Sequence, residues 1–201
     1  MNRTSNPFRR HLLLALALLA CTTLFAPLAH AQQPPSAPAA TPEANPADVA
    51  SVDAIIAALY ASISGPKGAP RDFARMRTLF APNARLIATG VSANGTPVIR
   101  NFSVAEYEAA AGPGLVAGGF YEREIGRSAQ SFGQVTHLMS AYDSKRTPED
   151  AKPFQRGVNS IQLFNGGTRW YIVTVMWDSE RAGNPIPAHL LTSPGDRRSS
   201  P

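Results

Sequence analysis

The sequence predicts an α+β domain in which amphipathic helices precede a mostly antiparallel sheet. Between residues 51 and 81, apolar side chains recur every three or four positions, which is the period of a helix buried on one side. After residue 119, four long runs rich in β-branched and aromatic residues follow one another with short polar connections. Because the helices come first and the strands afterwards, we expect the helices to cover one face of the sheet.

The first 31 residues have the order of a secretory signal peptide. Three arginines within the first ten residues precede the apolar stretch 11–25, and Ala29-His30-Ala31 forms a small-x-small cleavage site. The apolar stretch is shorter than the about 20 residues that a membrane-spanning helix needs. We therefore predict a signal peptide over residues 1–31 and a periplasmic or secreted protein.

Cys21, the only cysteine, lies inside this segment. One interpretation makes it a small apolar residue of the signal core. The alternative is lipidation, because residues 18–21 (LLAC) resemble the lipobox of bacterial lipoproteins. Cleavage after Ala31 would leave a chain without cysteine, which excludes disulfides and thiol catalysis. After signal removal we expect no membrane contact unless Cys21 is lipidated.

The charge of the chain argues against a nucleic-acid partner. The full chain carries a formal charge of +5, and removal of the three arginines of residues 1–31 leaves about +2. The remaining cations are scattered along the sequence. A nucleic-acid surface normally shows a clustered basic patch, so we predict no nucleic-acid binding.

Composition divides the rest of the chain into three parts. Residues 32–50 are rich in Pro and Ala without apolar periodicity, which predicts a disordered linker. Residues 51–184 have the length and patterning of one domain. Residues 185–201 are predicted to be a flexible tail, although Ile186, Leu190 and Leu191 could dock locally.

Three helices are predicted in the first half of the domain. Ser51 is placed to cap the first, whose apolar positions run from Val52 to Ile63. The second begins at about Arg71 and ends before Pro82. A short third helix follows the capping box of Ser103 and Glu106 and is expected to end at residues 112–114 (GPG), which leaves residues 115–119 as a connector or a mobile mouth.

Six strands complete the predicted domain. Residues 84–91 and 96–101 form a hairpin around an Asn-Gly turn. Four longer strands follow at about 120–129, 132–144, 156–165 and 168–179. The last two form a hairpin that is apolar on both faces, which predicts helices or a pocket on one side and a second subunit on the other.

Five strings in this order resemble the nuclear transport factor 2-like superfamily, in its SnoaL-like branch. They are LFAPNARL (79–86), FYEREI (120–125), FGQVTH (132–137), GVNSIQL (157–163) and TRW (168–170). The resemblance implies a cone-shaped barrel, a strongly bent sheet wrapped around the N-terminal helices with a pocket at the open end. It also implies a homodimer through the outer sheet face. Members include isomerases, dehydratases, polyketide cyclases and proteins that only bind ligands, so fold alone does not give an activity.

His137 is the most informative ionisable residue, because its pKa lies near neutrality and burial can tune it. Alternation places it with Val135, Met139 and Ala141 on one face of its strand. Such a base usually has an orienting carboxylate, for which the candidates are Glu122, Glu124 and Asp178. The alternative is a core or interface histidine, with the acids in cross-strand pairs or at a strand end.

The closing strands also supply candidates for the wall of a ligand site. Aromatic rings and an amide could anchor a small molecule, and the residues of this kind are Tyr142, Asn159, Tyr171 and Trp177. No histidine pair or carboxylate cluster has the spacing of a metal site, and neither a nucleophile elbow nor a phosphate-binding glycine loop occurs. We predict no metal and no cofactor.

The sequence is therefore interpreted as an exported protein that binds a small, partly apolar molecule. The first alternative is a cofactor-free lyase or isomerase with His137 as acid and base. The second is an interaction module that dimerises through its sheet and binds no ligand.

Overall fold

The computed structural model of the protein describes residues 42–192. The predicted signal peptide, Cys21, most of the predicted linker and the last nine residues lie outside this range. Within it, no helix is long and apolar enough to cross a membrane.

Four α-helices and one 3₁₀ helix are found in the described part of the chain. They are α1 Pro46–Val49, α2 Val52–Ile63, α3 Phe73–Leu79, α4 Val104–Gly118 and the 3₁₀ turn Ala188–Leu190. As predicted, Ser51 caps α2 by accepting a hydrogen bond from the backbone of Ala54, and Ser103 and Glu106 form the capping box of α4.

Six strands form one mixed sheet, which confirms the predicted α+β class. They are β1 Phe80–Val91, β2 Pro97–Phe102, β3 Tyr121–Phe132, β4 Val135–Lys145, β5 Gln155–Asn165 and β6 Trp170–Ser179. Their order is β2-β1-β6-β5-β4-β3. All neighbours are antiparallel except β1 and β6, which run parallel.

The sheet is open, so the predicted barrel is not closed. β2 and β3 are its two edge strands and do not pair with each other. Register shifts interrupt β1 between Phe80 and Arg85, β3 near Ile125 and β6 near Val173. Bulges of this kind bend a strand and increase its twist. The helices α2, α3 and α4 lie on one face of the sheet, called here the inner face.

In β4, the face that packs against the helices is not the apolar face of Val135, Met139 and Ala141 that the sequence pattern indicated. Leu138 and Tyr142 are buried in the main core, whereas His137 and Met139 lie on the outer face. Thr136, Ser140 and Ser144 share the inner face with Leu138. Because these three residues are polar, the sequence pattern wrongly indicated that this face of β4 is the outer one. They are fully buried because they hydrogen-bond to groups that the helices and neighbouring strands supply.

The bulges also change which side chains share a face. Glu124 opposes Tyr142, but after the bulge at Ile125 the next pair is Gly126 with Ala141. Arg127 therefore returns to the inner side, where simple alternation would have placed it outside. In β6 the shift near Val173 leaves Tyr171 on the opposite side from Trp177.

Helix α4 continues through Pro113, so the prediction that it ends at residues 112–114 is wrong. Gly112 packs against the ring of Phe73, where a Cβ would lie 3.1 Å from the ring carbon Cε2. Leu115 joins the main core instead of forming a mobile mouth. Proline in a helix removes one hydrogen bond, and this close packing compensates for the loss.

The domain begins earlier than predicted, because residues 42–50 are part of the packed structure. Val49 and Asp48 of α1 are buried, and Arg75 of α3 donates two hydrogen bonds to Asp48 at 2.7 and 2.8 Å. The arginine holds the pKa of Asp48 below its usual value. The linker was predicted to extend to residue 50 because this segment is rich in alanine and proline, but it ends earlier.

The C-terminal strap, defined as residues 185–192, docks on the outer face and is not a flexible tail. Ile186 and Leu190 are buried against Ala141, Met139 and Val158. The strap closes a second small core through Ile186 and Leu190, two of the three residues for which the sequence had allowed local docking. Residues 193–201 lie outside the described range.

Replacing Gly126 by Ala is expected to release the C-terminal strap. A methyl group there would lie 2.7 Å from the Cα of Leu191, a backbone atom that cannot rotate away. We expect faster hydrogen exchange and proteolysis in residues 185–192, with a stability loss of about 1–3 kcal/mol from overpacking. Gly90→Ala, where no atom lies within 4 Å of the new methyl group, is the matched control. Unchanged protection of the strap in Gly126→Ala would contradict this docking.

Candidate functional site

The inner cavity lies between the helices and the inner face of the sheet and has a volume of about 220 Å³. Its wall is mostly apolar and comes from α2, α3, α4 and the strands. The apolar lining residues are Leu59, Ile63, Met76, Leu86, Ala111, Leu115, Phe120, Val175 and Trp177. The cavity exists because the amphipathic helices cover a bent sheet without filling the space beneath them.

Glu122 brings a carboxyl group into this apolar cavity. Its backbone N–H donates to the Ser64 hydroxyl at 3.0 Å, which ties the start of β3 to the end of α2. Its side chain accepts a hydrogen bond from Ser144 at 2.9 Å. Burial raises the pKa of Glu122 to about 7, although hydrogen bonds from Ser144 and Asn159 oppose the rise. The nearby charge of Asp143 adds to it.

Glu122 keeps part of its surface accessible although protein surrounds it. It lines both the inner cavity and the α2–β3 groove, a depression lined by residues of α2, β3 and β4. The accessible part of Glu122 is therefore the part that a molecule in either space would touch. A carboxyl group in this position can hydrogen-bond to a ligand or exchange a proton with it.

A chain of hydrogen bonds sets the orientation of Asn159, which lies beside Glu122. Arg127 donates to Glu124, so this carboxylate can only accept, and it accepts from Ser140 at 2.5 Å. Ser140 must then accept from Tyr60 at 2.8 Å. Tyr60 in turn accepts from the Asn159 amide nitrogen at 3.0 Å. The chain thus directs the N–H groups of Asn159 toward Tyr60 and Glu122.

Aromatic hydroxyls and a second amide complete the polar part of the cavity. Burial raises the pKa of Tyr142 to about 12, and the Glu122 charge adds to the rise. Burial also raises the pKa of Tyr107, whose ring stands edge-on to Trp177 with 5.9 Å between the centroids. Gln155 donates to the Ser179 hydroxyl at 2.8 Å. These phenols stay protonated at neutral pH and act as neutral hydrogen-bonding groups.

The α2–β3 groove is larger than the inner cavity, at about 560 Å³, but both of its arginines are already paired with acids. Arg123 forms two hydrogen bonds to Asp143, and Arg127 bonds to Asp53 and Glu124. A ligand there would compete with these ion pairs. The inner cavity, with its single carboxyl group, is therefore the better candidate site.

Comparisons with known proteins give similarity in fold only. No protein-family model matches the chain, and no curated protein matches it. Among solved structures, a protein of unknown function with a cystatin-like fold from Nostoc punctiforme is similar at 15% identity, over 63% of this chain and 86% of that one, with a TM-score of 0.47. A nuclear transport factor 2-like protein of unknown function from Shewanella baltica is similar at 12% identity, over 65% and 98%, with a TM-score of 0.40.

A third structure, a nuclear transport factor 2-like protein of unknown function from Methylobacillus flagellatus, is similar at 14% identity, over 65% of this chain and 95% of that one, with a TM-score of 0.42. In fold, the described residues are similar to nuclear transport factor 2-like proteins, the class that the strings in the sequence resemble. Similarity at this level carries no statement about activity, because unrelated functions occur on one fold.

The structure brings four of the predicted site residues together. Glu122, Tyr142, Asn159 and Trp177 all line the inner cavity. They come from β3, β4, β5 and β6, and the register places Tyr142 opposite Gly157 and Asn159 opposite Trp177. Pairing of neighbouring strands therefore assembles the site.

His137 does not line the inner cavity. It is half-buried on the outer face, where its Nε2 lies 3.0 Å from the Ser160 hydroxyl. None of the three candidate carboxylates is among its hydrogen-bond partners in the described residues. The structure thus contradicts a role for His137 as acid or base in the cavity, because β4 presents its even-numbered residues to the helices.

The other three predicted residues lie apart from the inner cavity. Glu124 lies on the inner side of β3, but Arg127 and Ser140 occupy its oxygens. Tyr171 lies on the outer side with its ring stacked on Phe164. Asp178 pairs with Arg181 and lines a hollow beside the C-terminal strap.

The prediction missed several lining residues, chiefly Tyr60, Tyr107, Phe120 and Gln155. Tyr60 follows the buried stripe of α2, four residues after Ile56, so a hydroxyl on a buried stripe was an available signal. Gln155 is the first residue of β5, and nothing in the sequence around it indicated a place in the cavity wall. No group of three or more metal-ligating side chains occurs within residues 42–192.

Proposed function

We propose that this domain binds a small, partly apolar molecule in the inner cavity and that Glu122 binds its polar group. The observation that carries the proposal is a single buried carboxyl group in an otherwise mostly apolar cavity. Burial of a carboxyl group costs free energy unless a partner compensates it. A bound ligand can be that partner.

The cavity volume limits the size of the ligand. About 220 Å³ corresponds to about seven water molecules at about 30 Å³ each. Sites for drug-sized molecules begin at about 300 Å³. We therefore propose a ligand with one ring or a short branched skeleton, whose apolar part contacts Leu59, Met76 and Val175.

Export and dimerisation are also part of the proposal. The order of residues 1–31 supports export to the periplasm or the medium, where the ligand would be met. Exposed Val135, Phe164 and Met176 support a homodimer through the outer sheet face. The C-terminal strap covers another part of this face, so the dimer contact would lie beside it.

A second candidate function is a cofactor-free isomerase or lyase with Glu122 in the role predicted for His137. The pKa of about 7 favours it, because a general acid or base works best when its pKa lies near the working pH. Tyr142 and Asn159 would then hold the reacting group. Exchange of a ligand C–H hydrogen with D₂O, lost in Glu122→Gln, would distinguish catalysis from binding alone.

Partial filling of the cavity tests the binding proposal. A small-molecule ligand at a hundredfold excess over its dissociation constant is expected to stabilise the domain by about 2.7 kcal/mol. Ala111→Leu places a larger side chain inside the cavity, so it is expected to abolish the thermal shift that the ligand causes. Ala129→Leu, on the exposed part of β3, is expected to retain this shift. A broad screen of small aromatic and aliphatic molecules without any shift would refute the proposal.

A further inference from the structure

We infer that the ligand of the inner cavity is a small organic cation, a protonated amine on one ring or a short apolar skeleton. This inference rests on the proposed function and names the class of ligand. Three features of the cavity support it: its charge, its aromatic wall and its excess of hydrogen-bond acceptors.

The charge of the cavity is not compensated by a cationic side chain. Glu122 is its only carboxyl group, and no Lys, Arg or His is among the described residues that line it. Of the cations that line the α2–β3 groove, Arg123 pairs with Asp143 and Arg127 with Asp53 and Glu124. The third, Lys145, lines the groove but not the inner cavity. A buried carboxylate is favourable only with a partner, and a ligand ammonium would supply one.

The aromatic wall suits a cation. Five rings line the cavity, those of Tyr60, Tyr107, Phe120, Tyr142 and Trp177. Ring faces attract cations, and grouped aromatic side chains are a common way to bind ammonium groups. A ligand anion would be repelled by Glu122 and by these ring faces alike. The rings also contact the apolar skeleton of the ligand.

The amide side chains leave acceptors for a ligand. Asn159 donates through its nitrogen to Tyr60, in the orientation that the chain from Arg127 imposes, and Gln155 donates to Ser179. Their carbonyl oxygens accept no hydrogen bond from another described residue. With Glu122, these oxygens form an acceptor-rich site, and a primary ammonium carries three N–H donors. An alcohol or a ketone would supply one donor or none.

The pH dependence of binding follows from the charge of Glu122. Below its pKa of about 7 the free carboxyl is protonated, so binding of an ammonium releases a proton. The affinity is therefore expected to rise with pH up to about 7 and then to level off. On the cavity side, Glu122 faces the phenols of Tyr60, Tyr107 and Tyr142, which stay neutral. On the groove side, the charged residues are Asp53, Arg123, Glu124, Arg127, Asp143 and Lys145, and the charge of Asp143 raises the pKa of Glu122.

Benzylamine and benzyl alcohol provide a test, because they have the same number of non-hydrogen atoms and differ in charge. Calorimetry of the full chain at pH 7.5 is expected to show at least tenfold tighter binding of benzylamine, because its ammonium forms a charged hydrogen bond to Glu122 that the alcohol cannot form. Benzylamine binding is expected to weaken about twentyfold at pH 5.5, with release of a proton that two buffers of different ionisation enthalpy reveal. Glu122→Gln is expected to remove the preference for the amine.

Each outcome decides the inference. Equal or tighter binding of benzyl alcohol would overturn the cationic ligand while leaving the proposed function in place. Failure of both molecules to bind would overturn the cationic ligand, and the broad thermal-shift screen then decides separately whether the proposed function stands. The pH dependence and proton release of the wild-type chain test the inference even if Glu122→Gln does not fold, and their absence during benzylamine binding would overturn it.

Discussion

Replacing Arg127 by Met is expected to lower the free energy of unfolding by about 3 kcal/mol or more. The Arg127 side chain is only 8% exposed and donates three hydrogen bonds to Glu124, which is 16% exposed. Removing one partner of a buried pair leaves an uncompensated charge, which typically costs about 3–5 kcal/mol. Because Glu124 keeps some exposure, we expect the lower end of this range. Urea denaturation at pH 7 measures the effect.

Arg181→Met is the matched control for this prediction. Arg181 also forms an ion pair with a residue three positions away, Asp178, but both side chains are 38% exposed. Exposed pairs contribute about 0–1 kcal/mol, so the control is expected to remain near wild-type stability. The double variant Arg127→Met with Glu124→Gln is expected to recover much of the loss, because no buried charge remains. Equal effects of Arg127→Met and Arg181→Met would contradict the burial argument.

Replacing Glu122 by Gln is expected to stabilise the ligand-free protein above pH 7 by up to about 3 kcal/mol. The folded state raises the pKa of this carboxyl from 4.5 to about 7, so the folded state binds the proton more tightly than the unfolded state. The wild-type protein therefore loses stability as pH rises from about 4.5 to about 7. Below pH 4.5 the carboxyl is protonated in both states, and this contribution disappears.

Denaturation curves at several pH values measure this effect as the difference between variant and wild type. The difference is expected to grow between pH 5 and pH 8, while the exposed Glu149→Gln should show no such trend. A difference that is independent of pH would mean that Glu122 has an ordinary pKa. A ligand ammonium should reverse the sign, because the ion pair is available only to the wild-type carboxylate.

Much of the fold could be predicted because its signals are local. The stripe of α2, the capping box at Ser103 and the alternation of the long strands depend on neighbouring residues, and they placed these elements to within a few positions. The end of α4 could not be predicted this way. Pro113 is a helix breaker by local rules, and the close packing of Gly112 on Phe73, distant in sequence, overrides it.

The candidate site was predictable in part. Tyr142, Asn159 and Trp177 were found from their polarity in apolar strands, and Glu122 as a carboxyl beside the predicted base. His137 was misplaced because the inner face of β4 carries Ser140 and Ser144, which read as solvent-facing in the sequence. Their partners, Tyr60 and Glu122, come from other elements.

The sequence by itself determined the helices, the strands and the α+β class of this protein, because periodicity and capping act over a few residues. The tertiary structure decided which face of each strand is buried, where Arg127 and Tyr171 point, and that Glu122 enters a cavity. These outcomes depend on bulges and on pairs far apart in the chain. A single extra residue in a strand moves every later side chain to the other face of the sheet, and local sequence patterns cannot locate such a bulge.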